Sequence, residues 1–206
     1  MSKSTEIQLV LIPAAATEWD ESGRLQGGSD LPASASGLAA AKACVESAAA
    51  LNPAVVLSAP DEASVQTAKL LAKHVGVKVR TISALADPSL GLWEGLAESA
   101  ALERYPTVYK QWRQDPSSVH PPEGEAFDHA VHRITSGLVK AIEKSSKESY
   151  ALALRPAAYR IVSRWAAGAP IVQDWRAPQA NEVQTFTLSR AKLRQPPNFK
   201  ATANAS

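Results

Sequence analysis

The chain reads as an α/β domain with a buried parallel strand near its start, on two observations. Residues 7–12, Ile-Gln-Leu-Val-Leu-Ile, form an apolar run broken once, the pattern of a strand covered on both faces. Shorter apolar runs at 54–57 and 150–154 recur between stretches of helical period, so strands and helices alternate along the chain. In such a sheet, ligands bind at loops leaving the carboxyl ends of the strands. The loop after residue 12 is therefore the first place to look for function.

The elements follow in order. Ser34 or Ser36 can cap a first helix in which Leu38, Ala41, Val45 and Ala48 recur at helical spacing through Leu51. Cys44 lies within it and reads as a small core residue. Asn52-Pro53 breaks the helix before the strand at 54–57. A helix over 62–74 turns Val65, Ala68, Leu71 and Ala72 inward, with His74 complementing its C-terminal dipole. Residues 77–82 alternate as a strand. One further helix is expected to carry Arg104-Tyr105-Pro106 and to end near Trp112. The helix from 125 to about 144 has Phe127, Val131, Ile134, Leu138 and Ile142 on one stripe. Residues 150–154 make the last central strand, 157–167 a helix stopped by Gly168, and 182–188 a final strand. A single domain over 1–190 is followed by a tail, 191–206, rich in Lys192, Arg194, Lys200 and Pro196-Pro197 without an acid. That tail is expected to be loosely ordered.

Composition narrows the classes. A chain of 206 residues, 45% hydrophobic and 20% charged, suits one globular domain with a sizeable core. A formal charge of +2 gives no reason to invoke nucleic acid or a membrane surface. No apolar run approaches the roughly 20 residues of a membrane span, and the N-terminus lacks the apolar core of a secretion signal. The single cysteine excludes an intrachain disulfide. A cytoplasmic protein without metal or other cofactor is the expectation. Its partner is read as a protein or a small-molecule ligand.

The first-strand exit, Leu11-Ile12-Pro13-Ala14-Ala15-Ala16-Thr17-Glu18-Trp19-Asp20, resembles the signature of the histidine phosphatase superfamily, the phosphoglycerate-mutase-like proteins. The family writes Leu-Val-Arg-His-Gly-Glu-Thr-Glu-Trp-Asn, in which the His takes the phosphoryl group and the Arg holds it. Leu11, Ile12, Thr17, Glu18 and Trp19 match, whereas Pro13 and Ala14 stand at the Arg and His positions. Further motifs follow at family-like spacing. Ser58, Pro60, Thr67 and Ala68 fit a second one, with Ala63 at the position of its Arg. Gly91, Trp93, Glu94 and Gly95 fit a third, with Asp87 at the position of the proton-donating Glu. Pro121-Pro122-Glu123-Gly124-Glu125 fits another. At the exit of the last central strand Arg155 stands where the family has its second His.

The resemblance implies an α/β three-layer sandwich with a mostly parallel central sheet, phosphoglycerate mutase-like, and a pocket bounded by the altered positions Pro13, Ala14, Ala63, Asp87 and Arg155. Arg24, His120 and Arg160 are candidate rim residues. Phosphoryl transfer through a phosphohistidine needs an imidazole nucleophile, cations on the phosphate and an acid for the leaving oxygen. Of these only the acid survives, as Asp87. The reading that follows is a non-catalytic pseudophosphatase with a binding or regulatory role. The alternatives are slow phosphate-ester hydrolysis by a non-family route, as a phosphomonoester phosphatase or mutase-type hydrolase, and a purely structural subunit. A ligand-binding role leads one to expect a closed apolar cavity at Ala14–Ala16. With no phosphate to hold, Arg155 is expected to pair with Asp87. Glu125, His129 and His132 fall along one helix face, read as a polar surface rather than a metal site.

Overall fold

The computed structural model describes residues 6–171 and 182–199. Five strands form one sheet in the order β3-β2-β4-β1-β5. They are β1 (Glu6–Pro13), β2 (Val55–Ser58), β3 (Val79–Thr81), β4 (Ser149–Leu154) and β5 (Gln184–Ser189). All neighbouring pairs are parallel except β1 with β5. The mostly parallel α/β expectation holds, and the three interior strands, β2, β4 and β1, carry the apolar runs.

The period of two along a strand explains the layers. In β1, Leu9 and Leu11 point to one face and Val10 and Ile12 to the other, and all are buried. The first pair packs with Phe127, Val131, Ile134 and Leu138 of α6 (Phe127–Glu143) and with Ile161 and Val162 of α7 (Pro156–Ala167). The second packs with Val45 and Ala48 of α2 (Ala35–Ala50) and with Ala68 and Leu71 of α3 (Glu62–Val75). The stripes expected on these helices are buried except at Leu38 and Val65, which are partly exposed, and Cys44 is in the core at 2% exposure. Among the described residues no helix is long and apolar enough to cross a membrane.

A third apolar cluster roofs one end of the sheet. Trp93 is fully buried, with Tyr109 and Trp112 at ring-centroid distances of 5.8 and 5.6 Å, both edge-on. The helix expected across Arg104-Tyr105-Pro106 is two helices, α4 (Glu98–Arg104) and α5 (Pro106–Gln114). Proline disfavours helical backbone in the residue before it, and Tyr105 accordingly sits at φ −132°, ψ 54°. Pro106 then opens α5 as its first residue.

The strand expected at 77–82 is shorter, Val79–Thr81, because it lies at the sheet edge and pairs only with β2. The tail also differs from expectation over 191–199. Leu193 is buried at 5% exposure, Phe199 packs on the same cluster and on the His132 ring, and Asn198 accepts a hydrogen bond from Ile171 N. Composition weighed the charges and prolines and overlooked two apolar anchors. Residues 200–206 lie outside the described residues.

Gly37 shows how tightly α2 meets the loop after β1. A Cβ there would stand 2.2 Å from the carbonyl oxygen of Ala16. Gly37→Ala should therefore destabilise the fold by about 1–3 kcal/mol, read from the urea midpoint, although alanine is the better helix former.

Candidate functional site

The site is assembled where β1 and β4 end side by side. β4 delivers Arg155, which occupies the N-cap position of α7, with Pro156 as the first helical residue. β1 delivers the loop Ala14-Ala15-Ala16 and then α1 (Glu18–Glu21). That short helix carries a capping box: the Thr17 hydroxyl accepts from Asp20 N, and an Asp20 oxygen accepts from Thr17 N at 2.7 Å.

Arg155 is 3% exposed, and its guanidinium meets Asp20 as a fork. Nη1 donates to Asp20 Oδ2 at 2.8 Å and Nη2 to Oδ1 at 2.7 Å, while Nη2 also donates to Gln26 Oε1 at 2.8 Å. Gln26 in turn accepts from the Thr17 hydroxyl at 2.7 Å and donates to Ser29 O. Burial works against charge on Asp20, but the hydrogen bonds and charge of Arg155, together with the Thr17 donors, hold its carboxyl below the usual value.

The expected Arg155–Asp87 ion pair is not formed. Asp87 accepts instead from the backbone N–H groups of Ala157 and Ala158, at 3.2 and 2.7 Å. The physical reason is the helix end: Arg155 has no side-chain acceptor to cap α7, so its first free amides turn to the nearest carboxylate. Asp20, already pinned by its capping box, is left to take the guanidinium. Burial pushes the Asp87 carboxyl up to about 6, against the opposing pull of the Arg155 charge and the two amides.

Beside this fork lies a pocket of about 380 Å³. Its polar wall includes Asp20, Arg24, Asp87, Arg155 and Arg160, and its apolar wall includes Leu90, Tyr109, Trp112 and Phe127. Four expected site residues therefore meet here: Asp87, Arg155, Arg24 and Arg160. Arg24 also donates to Gly95 O at 2.8 Å, and burial lowers the Arg160 guanidinium to about 10.

The other expected residues lie elsewhere. Pro13 ends β1 in register with Leu154, Ala14 N donates to Leu154 O, and Ala15 N donates to Thr67 Oγ1 at 2.8 Å. Ala63 is fully buried in the first turn of α3. None of Pro13, Ala14 and Ala63 lines this pocket; at the loop Ala14–Ala16, Ala15 is buried against Thr67 and Gly37 packs on Ala16, while Ala14 and Ala16 are partly exposed. His120 is exposed, with Nε2 2.9 Å from Gly124 O, outside the pocket wall. Glu125 precedes α6 and pairs with Arg133, and His132 lies against Phe199, so the row expected with His129 is divided between separate neighbours.

Sequence reasoning passed over Asp20 and Gln26. A signal existed for Asp20: Thr17-x-x-Asp20 has capping-box spacing, and the residue departs from the Asn of the family signature. Nothing local marks Gln26. Asp20→Ala should strand a buried guanidinium and cost about 2–3 kcal/mol in chemical denaturation, less than for a fully buried pair because the Asp20 side chain is 29% exposed. The contribution has a defined pH window. Asp20 is depressed in the fold, so its stabilisation is complete above the unfolded value of 3.8 and is lost as pH falls through the folded value. Wild type and Asp20→Asn should accordingly converge in stability below that window.

Comparison with known proteins agrees with this architecture. The profile of the histidine phosphatase superfamily (branch 1) matches residues 9–193. Bifunctional protein Rv2228c of Mycobacterium tuberculosis is 36% identical over 84 residues, 41% of this chain, and that match spans only 23% of the relative's length. Phosphoserine phosphatase 1 of Hydrogenobacter thermophilus is 25% identical over 138 residues, 67% of this chain and 65% of the relative. The solved structure of the mycobacterial glucosyl-3-phosphoglycerate phosphatase Rv2419c superposes with a TM-score of 0.78 at 20% identity, covering 88% of this chain and 90% of the other. With its profile matched from the first central strand to the last described turn, this chain belongs to the histidine phosphatase superfamily.

Proposed function

We propose that this protein is a non-catalytic member of its superfamily that binds a ligand in the pocket beside Arg155. One observation carries the reading: the guanidinium of Arg155, at the position of the family's second His, is already taken within the protein by its two-pronged bond to Asp20. Covalent phosphoryl transfer needs a nucleophile and free cations on the transferring oxygens. No histidine lines the pocket among the described residues, and the positions of the family nucleophile and its two Arg neighbours hold Ala14, Pro13 and Ala63. The loop amides of Ala14 and Ala15 already donate within the protein. Loss of a covalent nucleophile costs about a millionfold in the best-measured protease case.

A second reading is slow hydrolysis of a phosphate ester by a route of this chain's own. The activities named for Phosphoserine phosphatase 1 and glucosyl-3-phosphoglycerate phosphatase support this reading more than they support silence. Asp87 also supports it: an acid raised to about 6, in a pocket with Arg155 and Arg160, is suited to protonating a leaving oxygen.

One assay separates the two. The purified chain should release no p-nitrophenolate from p-nitrophenyl phosphate, and no phosphate from phosphoserine, above a heat-inactivated control. Turnover that survives repurification and vanishes in Asp87→Asn would overturn the non-catalytic reading. Asp87 must be protonated to act as an acid, so an Asp87-dependent rate should fall as pH rises past about 6.

A further inference from the structure

The pocket beside Arg155, at about 380 Å³, has the size of a small-molecule site. Most of the charges on its wall are engaged within the protein. Asp20 takes the fork of Arg155, Glu98 takes Arg113 at 2.8 Å, and Glu125 takes Arg133, which is outside the lining. Asp87 receives the amides of Ala157 and Ala158, and its charge acts on Arg160.

Arg24 is the exception. Its Nη1 donates to the neutral carbonyl of Gly95 at 2.8 Å, and among the described residues no carboxylate stands at ion-pair distance from it. That bond leaves the edge formed by Nε and Nη2, whose parallel N–H groups match the two oxygens of a carboxylate. The backbone beneath is fixed as well: Arg24 N donates to Trp19 O at 2.8 Å, and the residue forms a bridge with Ala97. A cation anchored at both ends binds an anion with little cost of ordering.

The same pocket has an aromatic wall. Trp112 is half-buried, and its ring stacks on that of the buried Tyr109 with centroids 5.7 Å apart and planes at 27°. Phe127 and Leu90 extend the apolar lining. One unmatched cation beside flat apolar surface suits a ligand with a ring and a single negative charge. A second negative charge, as on a phosphate monoester, would meet a wall whose other arginines already answer to acids. A smaller space of about 110 Å³ suits an anion less, since Asp30, Asp61 and Asp87 line it against Arg155 alone.

We propose that the larger pocket binds an aromatic carboxylate, with the carboxylate on the Nε–Nη2 edge of Arg24 and the ring against Trp112. The inference rests on the reading of this pocket as a ligand site and names the ligand class.

Four probes test it in the full chain near neutral pH, followed by ligand-observed NMR and by quenching of tryptophan fluorescence. They are 3-phenylpropanoate, its neutral amide, the ringless acid butanoate, and phenyl phosphate. 3-Phenylpropanoate should saturate at millimolar concentration, and each of the other three should bind about tenfold more weakly or not at all. Arg24→Gln removes the charge at an exposed position, so its circular dichroism spectrum should match wild type. It should weaken 3-phenylpropanoate by about tenfold while leaving the amide unchanged, a split that a general loosening of the pocket would not produce. Arg24→Lys keeps the charge without the fork and should lose less, and it serves if the glutamine variant misfolds. No saturation by 3-phenylpropanoate up to about 20 mM, equal affinity for the amide or for butanoate, tighter binding of phenyl phosphate, or undiminished affinity in both variants overturns the proposal. Phosphate release keeps the two readings apart. Phosphate freed from phenyl phosphate removes the non-catalytic reading, whereas a silent assay with no 3-phenylpropanoate saturation removes only the aromatic carboxylate.

Discussion

The forked bond between Arg155 and Asp20 is the constraint on which the site's shape depends. It joins the end of β4 to the helix that follows β1, across 135 positions of sequence, and through Gln26 it fixes the next loop as well. A guanidinium at 3% exposure is tolerable only with its charge matched and its donors engaged. The planar fork of arginine fits a carboxylate bidentately, which a lysine ammonium does not. Asp20 can serve because Thr17 has already oriented it. The capping box is therefore more than a local helix start: it presets the acceptor for a cation arriving from another strand.

A second carboxylate organises the roof. Glu94 accepts from Gly28 N at 3.0 Å, Leu90 N at 2.9 Å and the hydroxyls of Ser29 and Ser89, which keeps its carboxyl below the usual value despite burial. It ties the loop carrying Gln26 to the segment leading into Trp93. Arg133 does similar work beneath the Asp87 loop, donating to Ala84 O and Ala86 O at 3.0 Å while paired with Glu125. The ionic groups around the pocket thus hold loops, and the aromatic cluster of Trp93, Tyr109 and Trp112 gives those loops a rigid backing.

Two spaces of different character result. The larger one has charges of both signs and a broad apolar wall, and the smaller one has more carboxylates than cations on its wall. The guanidinium of Arg155 is matched from within by Asp20, while Arg24 and Arg160 line the larger space.

The layers and the strand-helix alternation were legible from the residues, because burial on both faces of a sheet writes a nearly unbroken apolar run and a one-faced helix writes a 3.6 period. Residues 7–12, the stripe from Phe127 to Ile142 and the ordered motifs from Thr17 to Gly124 were sufficient for that. The sequence also brought Asp87, Arg155, Arg24 and Arg160 to one pocket. Which acid Arg155 meets is visible only in the folded chain. That choice turns on the direction of two side chains at the ends of separate strands, and on whether the first amides of α7 claim Asp87 first, and neither has a sequence period. The same holds for the loop at Ala14–Ala16, where an apolar string reads equally well as cavity wall or as packed contact until Gly37 and Thr67 are seen to close on it. Tail residues Leu193 and Phe199 are a third instance, since two isolated apolar side chains gain meaning only from the groove that receives them. Periodic patterns report burial; partner choice depends on distances between elements, and those are set only when the chain is folded.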